Sequence, residues 1–194
     1  MLMEKVITME ERCSSIIDEC ISSTEINPVM LFNKLANKEY VRIHGPEHHI
    51  LDGACVLTAF YNAGGSLDLR KSLENLMAEG MRMPGATCGL WGVCGSVASV
   101  GAALAIIEET GPLTENDSFG LHMECTSRAL KEISKLGGPR CCKRHAFIAM
   151  KEAVTYLNER FSMKIPYGEI KCGYSSKNMQ CIKNRCPFYA GGQA

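Results

Sequence analysis

Several familiar signatures are missing from this sequence. It has no phosphate-binding loop, no dinucleotide fingerprint and no paired carboxylates at a mechanistic spacing, so nothing in it names a substrate. It also has no net charge: 21 Lys and Arg balance 21 Asp and Glu, which argues against a general nucleic-acid or membrane-surface role. Aromatic residues are sparse, with a single Trp, and they do not interleave with a basic stripe. No CxxC pair occurs, so the usual zinc-finger spacing is absent. Met1 to Glu11 is charged throughout and has no apolar h-region, which gives the expectation of a cytoplasmic chain with reduced thiols.

What the chain does have is cysteine, eleven in 194 residues, on an otherwise ordinary globular composition of 46% hydrophobic and 22% charged residues. In a reducing compartment that number favours metal ligation or thiol chemistry over disulfide stapling, and an odd count leaves at least one Cys for another task. The length suits one domain, residues 1–194. N-terminal helices are expected over 1–40, core helices with the site over 41–161, and a cysteine-rich tail over 162–194.

The most informative stretch is Pro84 to Ile107, which carries no charge and holds Cys88 and Cys94 beside a run of small residues. It predicts one buried helix beginning near Cys88, with Thr87 as N-cap and Cys94 in the second turn. At such a helix start, unpaired N–H groups and the macrodipole favour a thiolate. Gly92, Gly95, Ser99 and Ala102 form a small-residue side that could admit another backbone or serve a homodimer. The uncharged run is long enough for a bilayer, but its Gly and Ser content and the lack of a second span argue against a membrane role.

Cys13, Ile16, Ile17, Cys20 and Ile21 fall at helical spacing, so Cys13 and Cys20 read as core. Asn27-Pro28 reads as N-cap and N1 of a short helix. HGPEHH at residues 44–49 opens a helix ended by Gly64-Gly65, in which His48, Asp52 and Cys55 share a side opposite Ile50, Ala54, Leu57 and Tyr61. That stripe could orient His48 or His49 for proton transfer, or could equally be a solvated face. Leu67 to Met83 is amphipathic. Thr114 with Asp117 resembles a capping box for a helix to about Leu136, with His122 and Cys125 at i, i+3.

Gly137-Gly138-Pro139-Arg140-Cys141-Cys142 combines a glycine stop, proline at the first helical position and thiols in the first turn of a helix to about Phe161. Adjacent helical side chains diverge, so one of Cys141 and Cys142 is expected to face a cofactor site while the other packs. Lys143, Arg144 and His145 would add positive charge beside them. The tail has few aliphatic residues and cannot make its own core. Its Cys172, Cys181 and Cys186-Pro187 therefore point to a metal or cluster as the ordering element.

Cys55 with Thr58 and Ala59, the Cys88-Gly-Leu-Trp-Gly-Val-Cys94-Gly run and Cys141-Cys142 distantly resemble the redox-active protein family named for a C, GCAxxG, C, C pattern, although GCAxxG itself is not present. HGPEHH, the Trp91 segment, GGPRCCKRH and the tail cysteines more closely resemble an uncharacterised cysteine-rich domain family of methanogens and other anaerobes, over most of Tyr40 to Tyr189. That resemblance implies a helical fold and an anaerobic setting, and brings no reaction with it.

The reading is therefore an all-α, single-domain bundle of about seven helices with an irregular cysteine-rich tail. Its sulfurs are expected to meet in one pocket, with Cys172, Cys181 and Cys186 as metal ligands and an upstream Cys as fourth. Cys88 and Cys94 would be the reactive thiols, and His48 or His49 would move protons. The first functional expectation is an iron-sulfur protein, a 4Fe-4S cluster in first place, for anaerobic electron or sulfur transfer with a partner protein. A zinc-stabilised accessory module and a metal-free Cys/His thiol enzyme are the alternatives.

Overall fold

The computed structural model describes residues 6–191 and is all-helical. Eight α-helices occur among the described residues: α1 (Met9–Ile21), α2 (Pro28–Ala36), α3 (His48–Asn62), α4 (Leu69–Arg82), α5 (Thr87–Leu90), α6 (Gly95–Ile107), α7 (Ser118–Leu136) and α8 (Cys142–Phe161). A single 3-10 turn, Lys183–Arg185, follows in the tail. No helix among the described residues is long and apolar enough to cross a membrane.

Local chemistry sets most of the helix starts. Thr8 and Glu11 form a reciprocal capping box for α1, and Asn27 caps α2 by accepting from the amides of Val29 and Met30, with Pro28 at N1. Asp68 caps α4 through the amide of Lys71. The expected box before α7 does not form: Thr114 Oγ1 accepts from the amide of Gly111, and Asp117 makes no side-chain cap.

Helix α3 is the axis of the bundle, and α1, α2, α4, α6 and α8 all pack on it. Every residue from His48 to Phe60 is buried, so the side expected to be solvated is interior, and Cys55 packs in the core beside Cys20. Only Tyr61 of the expected apolar face is exposed. The most extensive helix contact is between α3 and α6, where the Gly53 amide donates to Ser99 Oγ at 2.9 Å. A Cβ at Gly53 would run into the Ser99 carbonyl oxygen, so glycine sets this crossing.

The segment expected to be one helix from Cys88 to Ile107 is two. Helix α5 ends at Leu90, Gly92 takes a left-handed φ of 70°, and α6 starts afresh with Cys94 as its N-cap. Thr87 is the first residue of α5, and Ala86 is its N-cap. The break turns Leu90, Trp91 and Val93 to the surface, where a buried helix was expected. Pro139 likewise lies ahead of α8, whose N-cap is Cys141.

The tail folds back over α2 and α8. Phe188 stacks edge-on against Phe147, Tyr167 Oη donates to the Phe147 carbonyl, and Tyr174 Oη donates to Asn33 Oδ1 at 3.0 Å. Cys172 and Tyr189 form an isolated parallel bridge that closes the tail into a loop.

Candidate metal and thiol sites

Two clusters of sulfur lie on opposite sides of the start of α8, where one pocket was expected. The first is made by Cys141, Cys172, Cys181 and Cys186, which line a small enclosed pocket with Arg144, Phe147, Tyr174 and Phe188. The free space between them is about 10 Å³, room for about one water-sized sphere. Backbone or amide N–H groups serve all four sulfurs. Arg144 N–H and Asn178 Nδ2 donate to Cys141 Sγ at 3.5 and 3.4 Å, and Lys183 N–H donates to Cys181 Sγ at 3.4 Å. The amides of Tyr174 and Phe188 do the same for Cys172 and Cys186.

Burial and the neighbouring thiols push the Cys172 and Cys186 pKa up, against the pull of those amides and, for Cys186, of Arg144. The donor set is thus four sulfurs in an N–H-rich, half-buried loop, which fits a thiolate-bound metal centre. Among the described residues, no group of three or more His, Cys, Asp or Glu side chains converges as the ligands of one ion do.

The second cluster lines a chamber of about 260 Å³ between α3, α5, α6 and α8. It holds Cys88, Cys94, Cys142, His44, His48, His49 and His145, so all the histidines except His122 are here. Cys94 is the N-cap of α6 and makes no side-chain cap hydrogen bond, but the nearby amides of Val97 and Ser96 favour its thiolate, and its Sγ lies 3.2 Å from His145 Nδ1. Burial keeps both partners neutral: it raises the Cys94 thiol, and with Arg144 and His44 it lowers His145 to about 4. The positive charge expected at His145 is therefore absent at neutral pH. Cys142 is raised to about 12 by burial, although the Gly45 amide reaches its sulfur.

His48 is held at both nitrogens. Nδ1 is 3.0 Å from Asp52 Oδ1, and Nε2 is 3.1 Å from Lys143 Nζ. Since a lysine can only donate, Nε2 accepts and Nδ1–H donates to the carboxylate. Lys143 is completely buried between the Phe32 and Tyr174 rings and also donates to the Arg42 carbonyl. His49 packs its ring against Gly95, and its Nδ1 is buried without a hydrogen-bond partner.

The two clusters are joined by a short relay. The Cys142 amide donates to His44 Nδ1, His44 Nε2–H donates to Asn178 Oδ1, and Asn178 Nδ2 donates to Cys141 Sγ. Of the residues expected from sequence, Cys141 joins the three tail cysteines, while Cys88, Cys94, Cys142, His48 and His49 share the chamber. Sequence reasoning missed the pairing of His145 with Cys94, although His145 lies one helical turn from Cys141, and it missed Asn178 and Lys143 as supports.

The fold and the two clusters define an all-helical, cysteine-rich protein with a four-thiol pocket. The chain belongs to DUF5714, a family of unknown function whose profile matches residues 16–189. No curated protein and no solved structure matches it.

Proposed function

We propose that this chain carries a metal centre on Cys141, Cys172, Cys181 and Cys186 and uses it with the adjacent thiol chamber for electron or sulfur transfer in an oxygen-poor, cytoplasmic setting. The observation that carries the reading is four cysteine sulfurs from α8 and the tail lining one pocket, each with an N–H donor. Such donors stabilise thiolate charge and tune the potential of a bound iron-sulfur cluster. An iron-sulfur group held by these four cysteines would, when bound, supply one-electron chemistry.

In the chamber, Arg144 Nη2 donates to His145 Nε2, so neutral His145 carries its proton on Nδ1 and points it at Cys94 Sγ, a donor that would support a thiolate at the α6 N-terminus once a reaction partner has taken the Cys94 proton. The Asp52–His48–Lys143 chain holds the chamber wall. Cys141 and Cys142 are consecutive, so the metal pocket and the chamber are one peptide bond apart. That proximity is what couples them in this proposal, with a redox or sulfur-transfer protein as the external partner.

A zinc centre that only staples the tail is the second reading, favoured by the narrow free space between the sulfurs. Oxygen-free purification followed by iron, acid-labile sulfide and zinc analysis tests both. Iron with matching sulfide and a visible charge-transfer band supports the cluster; one zinc per chain with no chromophore supports the staple and removes the electron-transfer role.

A further inference from the structure

An apolar groove of about 970 Å³ runs along the outside of α5 and α7, and it shares Ala86, Cys88, Cys94, Arg140 and His145 with the chamber. The two spaces therefore open on one another at the Cys94–His145 pair. Leu130, Ile133 and Leu90 give the groove its apolar walls. No Asp or Glu lines either space; Lys131 lines the groove only, and Arg140 is the one Lys or Arg that lines both. Among the described residues Arg140 is exposed and has neither an ion pair nor a hydrogen bond. Arg42, the other arginine of the chamber, is already committed to the buried Glu47 carboxylate at 2.6 Å.

A concave, mostly apolar cleft with one uncommitted guanidinium at its inner end is matched by a particular kind of molecule. We propose that the groove and chamber form a binding site for a small molecule with an apolar body and one anionic group, a carboxylate or phosphate. Its body lies on Leu130 and Ile133, its anion pairs with Arg140, and the atoms beside the anion are presented to Cys94 and His145. The inference deepens the chamber's role in the proposed function and rests on that reading of the chamber, not on the identity of the metal.

The single tryptophan, Trp91, is exposed on the α5–α6 turn between groove residues Leu90 and Gly92, so its emission reports on occupancy. The full chain is titrated with decanoate and, separately, with decanol, and metal content is measured on the same samples. Decanoate should change the emission saturably and bind about tenfold or more tightly than decanol, the size of one charge-assisted hydrogen bond. Arg140→Gln should erase that preference. Gly89→Phe should abolish binding of both by filling the groove; a Cβ at Gly89 meets nothing within 4 Å, so the variant keeps the fold.

Decanoate should also slow alkylation of Cys88 and Cys94 but not of Cys172. Equal affinity for acid and alcohol, an unaltered preference in Arg140→Gln, or undiminished binding in Gly89→Phe overturns the proposal. Loss of the metal reading with decanoate selectivity intact would leave this inference standing, and the reverse outcome would sink it alone.

Discussion

Cys141 and Cys142 are neighbours in sequence and face different chemistry: the first lines the pocket of tail thiols, the second the chamber of Cys94 and His145. The divergence follows from position. Cys141 is the extended N-cap of α8, and Cys142 is the first residue inside the helix, so their side chains leave the backbone in different directions. A serine at each position separates the roles. Cys141→Ser should lower metal content per chain by more than half and lower the melting temperature as the tail loses its anchor, whereas Cys142→Ser should leave metal content unchanged. Elemental analysis with thermal melts checks both, and equal loss in the two variants would contradict the assignment.

Acid should destabilise the fold through the chamber histidines. His145 has a native pKa lowered to about 4 by burial, then by Arg144 and His44, so below its ordinary value of 6.5 the unfolded chain takes a proton that the native chain refuses. Stability is thus fully present above that ordinary value and declines as pH falls toward the native pKa. His44 and His49 are shifted the same way by burial. For His145 alone the loss at about pH 5 is about 2 kcal/mol. Urea unfolding of His145→Gln should show a flatter dependence between about pH 7.5 and 5 than the unaltered chain, and parallel curves would refute the account.

The α3–α6 crossing gives a prediction that is independent of metal and thiols. Gly53→Ala places a methyl group against the Ser99 carbonyl and hydroxyl, in a helix pair with no exposed side at that point. Backbone cannot yield there as a flexible side chain would, so a loss of about 2 kcal/mol or more is expected. Gly89→Ala, with open space around the new Cβ, should lie within about 0.5 kcal/mol of the parent and serves as the control. Denaturant midpoints decide the comparison.

Much of this architecture could be read from the chain in advance, and the parts that could not share one cause. Asn27-Pro28 and the apolar period of α1 are local devices, and they place those helices where they occur. The tail cysteines stood out because that segment has too few aliphatic residues to order itself, and Cys141 was among the expected cofactor residues. The break at Gly92 was not legible, because an uncharged run records burial but not the handedness of one glycine. The division of the thiols into two pockets, and the pairing of Cys94 with a histidine 51 positions away, depend on where α8 crosses α6, which no local pattern encodes. His48 was read as a proton carrier from its spacing to Asp52. That pair does form, but the lysine that occupies its other nitrogen comes from a distant helix.

That lysine makes the chamber wall a test of buried charge. Asp52 Oδ2 has no hydrogen-bond partner, and Asp52 is the first favourable charge against the burial that lowers the Lys143 pKa. Asp52 and Lys143 therefore balance one another in the interior, joined through the two ring nitrogens of His48. Lys143→Met removes the cation, leaves the carboxylate uncompensated and should cost about 3 kcal/mol or more. Asp52→Asn alone should cost a similar amount, because it strands the ammonium between Phe32 and Tyr174. The double variant leaves no buried charge on either side of His48 and should be distinctly more stable than the sum of the single losses implies, a coupling of about 1 kcal/mol or more. Strict additivity in urea denaturation would mean that Asp52 and Lys143 do not act as a unit.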